Sequence, residues 1–203
     1  MRVAINGFGR IGRSVFRILN SRENVSVVAI NDIADNDAMA YLLKYDTVMG
    51  PFKDSVSLDG DIMKTSNNQI KMVAEREPSL LPWKEMAVDV VIESTGIFRE
   101  KLQLQQHINA GAKRVILTVP SKDEIDYTLV IGVNDDGLTA DHKIISNASC
   151  TTNCLAPMAK ILNDSFGIEY GVINTIHAYT NDQRLADVPH SDWRRSRAAA
   201  ENI

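Results

Sequence analysis

Ser146-Asn147-Ala148-Ser149-Cys150-Thr151-Thr152-Asn153-Cys154 sets a thiol among hydroxyl side chains at the start of a stretch with helical patterning. A cysteine at a helix N-terminus feels the positive end of the macrodipole, which favours its thiolate. Further along, the apolar run Asn174-Thr175-Ile176 ends in His177. An imidazole beside a thiol makes a nucleophile poised at neutral pH, so Cys150 and His177 are the expected catalytic pair. Lone cysteines are commonly small buried hydrophobes, and the helix start sets Cys150 apart from them. Cys154, one turn later, is expected to pack. The Thr-Thr-Asn between the two thiols does not suit zinc, and no metal site is expected. His107, His142 and His190 have no comparable context and are read as surface residues.

A second constellation opens the chain. Val3-Ala4-Ile5 reads as a strand, Asn6-Gly7-Phe8-Gly9-Arg10-Ile11-Gly12 carries G-x-G-x-x-G, and a helical stretch follows. In that pattern Gly7 makes the tight turn, Gly9 lets the backbone approach a pyrophosphate, and Gly12 lets the helix pack on the strand. The helix N-terminus then receives the phosphates. Val25 to Ile30 reads as the next strand and leads into Asn31-Asp32, where a carboxylate can bond ribose hydroxyls. Strand, glycines, helix, strand and acid occur in order, which points to dinucleotide binding.

INGFGRIGR at the start, LLKYD at 42–46, SNASCTTNC at 146–154 and HAYTNDQ at 177–183 together resemble the phosphorylating, tetrameric glyceraldehyde-3-phosphate dehydrogenases. The resemblance runs through the whole chain, and family members continue well beyond residue 203. The chain is therefore expected to be the N-terminal portion of a longer protein, inactive as a dehydrogenase by itself. The resemblance implies NAD-dependent oxidation and phosphorylation of glyceraldehyde 3-phosphate to 1,3-bisphosphoglycerate, a reaction of glycolysis and gluconeogenesis. In it Cys150 attacks the aldehyde, His177 acts as base, and inorganic phosphate cleaves the resulting thioester. It also implies roles at further positions. Arg10 and Ile11 match the pyrophosphate turn, Arg76 the adenine side, and Thr95, Gly96 and Thr118 the crevice at the strand ends. Ser149 and Thr151 match positions that hold phosphate or substrate beside the thiol. Thr180, Asp182 and Arg197 match the substrate-phosphate region. Asp32, by charge, and Val188-Pro189, by likeness, favour NAD over NADP. A homotetramer is implied for the full-length protein, with the loop from about 180 to 203 near a neighbour's cofactor site.

These groups need elements to position them. Apolar runs at 2–6, 25–31, 88–93, 114–118 and 128–132 read as buried parallel strands. Helices are expected at about 10–20, 36–44 and 100–110, and 55–75 reads as an antiparallel excursion. A helix from about 150 to 165 is closed by Gly167, and Tyr170 to His177 reads as a long strand. The fold class expected is α/β: a doubly wound Rossmann-type NAD-binding domain over 1–149, then the start of an α+β catalytic domain over 150–203. With 203 residues, 44% of them hydrophobic, the chain can bury a core. Nothing in a net charge of −4 suggests a nucleic-acid partner or a membrane surface. The opening Met1-Arg2-Val3 enters a strand at once, so no targeting peptide is expected. Two cysteines four apart suggest a reduced, cytoplasmic setting.

Other functions are separable. Erythrose-4-phosphate dehydrogenases share the cysteine and histidine but depart from the Tyr179-Thr180-Asn181-Asp182 pattern. A non-catalytic NAD- or RNA-binding module would use the glycine turn without the thiol. A cysteine hydrolase would have no use for the dinucleotide pattern.

Overall fold

The computed structural model describes residues 1–202. The chain divides into two compact units, Met1–Ser165 and the segment from Phe166 onward. In the first, β1 (Arg2–Asn6) leads through a glycine turn into α1 (Arg10–Leu19), β2 (Ser26–Asn31) and α2 (Asn36–Lys44). Short strands β3 (Ser57–Asp59) and β4 (Ile62–Lys64) form a hairpin beside β5 (Gln69–Val73). Then come β6 (Val90–Glu93), α3 (Lys101–Asn109), β7 (Arg114–Leu117), β8 (Tyr127–Thr128), β9 (Ile144–Ser146) and α4 (Cys150–Phe166).

The nine strands of the described residues belong to one sheet, in the order β3-β4-β5-β2-β1-β6-β7-β9-β8. From β5 to β8 every neighbour is parallel. The chain winds outward from β1 through β2 to β5, then returns to the other side of β1 with β6. The order reverses between β1 and β6, the place where doubly wound sheets bind ligands at their carboxyl ends. The α/β reading is thus the observed fold.

Parallel strands are covered on both faces, so their residues alternate between two cores. Val3 and Ile5 of β1 join Phe8, Phe16, Met39 and Leu43 on the α1–α2 face. Ala4 between them joins Trp83, Val91, Leu104 and Leu117 on the α3 face. Each large side chain so buried contributes about 1.5–3 kcal/mol.

Three sequence expectations need correction. Of the strand expected at 128–132, only Thr128 falls in one, the two-residue β8 with Tyr127. Asn134 bends the following segment, its Oδ1 accepting from the Val130 amide (2.8 Å) and its Nδ2 donating to the Thr128 carbonyl. The strand that pairs with β7 is instead Ile144–Ser146, three residues too short to show a period. The segment from Tyr170 to His177 forms no strand and is exposed, with Ile176 98% accessible. Among the described residues it joins no strand ladder, which a stable strand requires. Finally, His107 is wholly buried rather than superficial, while His142 and His190 are half-buried.

Helix α1 presents Arg10, Arg13 and Arg17 one turn apart on a single stripe. Arg17 donates to the carbonyls of Leu43 (2.6 Å) and Gly50 (2.8 Å), and Arg10 pairs with Asp46. These bonds hold the loop after α2 against α1. The Asp46 carboxylate also accepts from the Met49 and Val48 amides, both at 2.9 Å. The Met49 amide first, then Arg10 and the Val48 amide, hold its pKa down to about 2 against the opposing effect of burial. A carboxyl whose folded pKa lies below its unfolded value of 3.8 stabilises the fold above pH 3.8. That contribution is lost as pH falls toward 2. Asp46→Asn is expected to lower stability at neutral pH and to flatten the loss of stability over that acid window. Urea unfolding at a series of pH values measures both.

Candidate dinucleotide-binding site

The turn Gly7-Phe8-Gly9 lies at the carboxyl end of β1. Gly7 has φ +90°, and a Cβ on it would sit 2.6 Å from the Thr95 amide nitrogen at the end of β6. Only glycine admits both the left-handed backbone and this approach. Gly12 is as constrained, because a Cβ there would lie 2.1 Å from the Gly7 carbonyl oxygen. The Phe8 peptide is held from both sides. Its N–H donates to Asp32 Oδ2 (2.7 Å), and its carbonyl accepts from Arg13 Nη1 (2.8 Å). Arg13 is buried, and desolvation above all, together with Arg10, lowers its pKa. The Phe8 ring packs edge-on against Phe16, with centroids 5.7 Å apart.

A crevice of about 410 Å³ opens above this turn, within the size range of small-ligand sites. Gly7, Gly9, Asp32, Arg76 and Thr95, all singled out in the sequence, line it together. Gly9 is the N-cap of α1 with no side-chain cap, and a Cβ on it would meet nothing within 4 Å. Its bare backbone therefore leaves room for a group to approach the first-turn amides of α1, which lack intrahelical acceptors. The Arg10 side chain is committed to Asp46, and Ile11 is half exposed. Both belong to the first turn of α1. Half-buried Asp32 takes the Phe8 amide on one oxygen and the Ala34 amide (3.0 Å) on the other. A carboxylate has acceptor capacity beyond those two bonds, enough for a diol. Gly96, with φ +74°, follows Thr95 on the exposed rim. Thr118, ending the neighbouring strand, bonds the Glu93 carbonyl through both its amide and its hydroxyl.

The sequence reading missed several lining residues. Asn6, Asn31, Ile33, Glu75, Ser94 and Phe98 also face the crevice. Their signal was positional: Asn6 and Asn31 are the polar last residues of apolar strands. Ile33 and Phe98 supply apolar surface suited to a planar base.

The thiol segment is held by its own hydrogen bonds. Ser149 caps α4, its Oγ accepting from the Thr152 amide (2.9 Å) and bonding the Thr152 hydroxyl (2.7 Å). Asn153 Nδ2 donates to the Asn147 carbonyl (2.7 Å) and the Ser149 carbonyl (2.9 Å). Ala148 adopts φ +54°, a left-handed conformation rare for a residue with a Cβ. Cys150 is thereby the first residue of α4 and exposed, with Thr151 half-buried beside it. Cys154 is exposed too, against the expectation that it packs, because no residue of α4 is buried in this chain.

In the second unit His177 is exposed, its Nδ1 2.6 Å from the Ala178 carbonyl oxygen. Thr180 donates its amide to Gln183 Oε1 (2.8 Å). Asp182 pairs with Arg195 and lies 3.6 Å from His190 Nε2. Arg197 pairs with Asp187 at 3.0 Å. The Ala198 amide and then Arg197 hold the Asp187 carboxyl below its ordinary range. Asp182 and Arg197 thus engage separate partners within their loop. Among the described residues, no group of three or more His, Cys, Asp or Glu could hold a metal ion, and no helix is long and apolar enough to cross a membrane.

The glycines differ in what they tolerate. Gly12→Ala should cost about 1–3 kcal/mol of stability through overpacking, read in urea unfolding. Gly9→Ala should leave stability within about 0.5 kcal/mol, yet weaken NAD binding measured by calorimetry, because its methyl enters the crevice.

Residues 1–101 match the family model described as the NAD binding domain of glyceraldehyde 3-phosphate dehydrogenase. Residues 149–203 match the model of the C-terminal domain of the same enzyme. Among curated relatives, glyceraldehyde-3-phosphate dehydrogenase of Borreliella burgdorferi is 56% identical over 209 residues, covering 100% of this chain and 62% of the relative. Those of Streptomyces coelicolor and Thermotoga maritima are each 54% identical, over all of this chain and 61% of their own length. The chain thus spans about six tenths of the curated relatives it matches. With models of both domains matching and identity above one half throughout, the chain belongs to the glyceraldehyde-3-phosphate dehydrogenase family.

Proposed function

We propose that the protein carrying this chain oxidises and phosphorylates glyceraldehyde 3-phosphate with NAD, yielding 1,3-bisphosphoglycerate. The observation that carries this reading is the glycine turn clamped between Asp32 and Arg13 at the β1–β6 reversal, in a chain that also starts α4 with Cys150. The crevice fits a dinucleotide: bare backbone at Gly9 for the pyrophosphate, Asp32 for the adenosine ribose, Arg76 on the adenine side and Thr95 at the strand ends. When bound, NAD supplies the acceptor for the hydride that leaves the substrate carbon. Residues 1–149 form the NAD-binding domain in this reading, and 150–203 the first part of the catalytic domain, in keeping with the second model's match from residue 149.

The remaining chemistry belongs to the chain. Cys150 Sγ attacks the aldehyde carbon, and the substrate becomes covalently held as a hemithioacetal. His177 takes the hydroxyl proton, which makes loss of hydride from that carbon possible. The thioester so formed on Cys150 keeps the oxidation energy as an activated acyl group. Inorganic phosphate, held by Ser149 and Thr151, attacks it and releases an acyl phosphate with the Cys150 thiolate as leaving group. Thr180, Asp182 and Arg197 bind the phosphate groups. The full-length protein is a cytoplasmic homotetramer in this reading, with no membrane or dedicated nucleic-acid partner.

NADH formation with glyceraldehyde 3-phosphate, NAD and phosphate tests the activity, in the protein extended to the length of its relatives. Erythrose 4-phosphate should be the poorer substrate, and equal turnover with both would overturn the choice. Cys150→Ser should reduce turnover by roughly three orders of magnitude or more. His177→Asn should cost about 10²–10⁴-fold. Mass spectrometry after brief iodoacetamide treatment at neutral pH should find Cys150 labelled before Cys154, although both are exposed.

Coenzyme choice gives a separate expectation. Asp32→Ala removes the carboxylate that repels a 2′-phosphate. The ratio of NADP to NAD dissociation constants should therefore fall toward one. A parent protein that already binds NADP as tightly as NAD would refute the role of Asp32.

A further inference from the structure

Beneath the crevice lies a buried polar chain that the proposed chemistry does not use. Glu93, the last residue of β6, is 0% exposed, as are His107 of α3 and Trp83. Trp83 Nε1–H donates to His107 Nδ1 at 3.0 Å. Indole nitrogen is a donor only, so Nδ1 is the acceptor and the His107 proton sits on Nε2. That Nε2 lies 3.0 Å from Glu93 Oε2, which also accepts from Asn6 Nδ2 at 2.6 Å. The other oxygen, Oε1, accepts from the Thr95 amide (2.8 Å) and the Thr95 hydroxyl. Four donors converge on one carboxylate, and no acceptor faces it. The chain continues sideways: Asn31 Nδ2 donates to Asn6 Oδ1 (2.7 Å), and Asn31 exchanges two bonds with the Glu75 backbone, both 2.8 Å.

A buried carboxylate is costly, and an apolar side chain of similar volume would often serve stability as well. What this one does is tie together Asn6, Asn31, Glu75 and Thr95, all of which line the crevice, across the ends of β2, β1 and β6. We propose that Glu93 and His107 are a positioning pair for the cofactor crevice. His107, locked as the Nε2–H tautomer by Trp83, orients the Glu93 carboxylate, which in turn fixes Thr95 and Asn6 where the dinucleotide lies. Neither residue touches the reacting atoms. The inference rests on the NAD reading above and adds to it a determinant of affinity outside the lining.

The test uses the 203-residue chain, with NAD affinity measured by calorimetry at a temperature where every variant is fully folded. Glu93→Gln keeps the shape but turns one acceptor into a donor. Whichever way the amide lies, it meets N–H groups, either those of His107 and Asn6 or the amide of Thr95. NAD binding should weaken about tenfold or more, as expected when a buried donor loses its acceptor. Trp83→Phe keeps an aromatic ring, though a smaller one, and removes the N–H that selects the tautomer. It should weaken NAD binding about threefold, and it stands in if Glu93→Gln does not fold. Nitrogen-15 spectra without ligand should show His107 solely as Nε2–H in the parent and as a mixture of tautomers in Trp83→Phe. Variants that lose stability yet bind NAD as tightly as the parent would overturn the proposal, as would a parent His107 carrying its proton on Nδ1. A parent that shows the Nε2–H tautomer but binds no NAD would instead overturn the dinucleotide reading and leave the relay standing.

Discussion

The structure depends on one close approach, that of the glycine turn to its neighbours at the reversal of strand order. Gly7 packs against the backbone of Ser94 and Thr95, and Gly12 packs against the Gly7 carbonyl, both at separations no side chain would permit. This brings α1 down onto the ends of β1 and β6 and aims its first turn at the crevice. Asp32 and Arg13 then hold the Phe8 peptide from opposite sides, so the turn cannot drift. A cradle for a charged ligand has to be rigid before the ligand arrives, since ordering it on binding would consume affinity.

The two faces of the sheet serve different ends. On the α1–α2 face the arginine stripe of α1 holds the loop at 45–52 through Asp46 and backbone carbonyls. On the α3 face Trp83, His107 and Glu93 form a hydrogen-bonded row that reaches the strand ends. Three buried polar groups, Asn6, Asn31 and Glu93, thus lie at the strand ends where the sheet meets the crevice. That placement is the expected one for a sheet that binds ligands at its carboxyl edge.

The second unit is of another character. Its segment at 170–177 is exposed and joins no strand ladder among the described residues, and Arg194, Arg195 and Arg197 pair with nearby aspartates along the loop. In the first unit, Met158, Ile161 and Leu162 of α4 are exposed as well. Exposed apolar surface of this extent marks a face that packs on something.

Much was legible from residue types and spacing alone. The glycine pattern, Asp32 after β2, the alternation of strands with helices and the helix starting at Cys150 all rest on local rules. Turn sterics, period and cap chemistry act within a few residues, so one sequence suffices to read them. Tertiary structure decided what those rules do not reach. Ile144–Ser146 becomes a strand because β7 offers it a ladder, while Tyr170 to His177 joins no ladder among the described residues. His107 read as a surface residue on a polar helix, yet it is buried, since Glu93 and Trp83 supply its partners from distant parts of the chain. Burial, pairing and tautomer are set by neighbours far off in sequence, and only the folded chain brings those neighbours together.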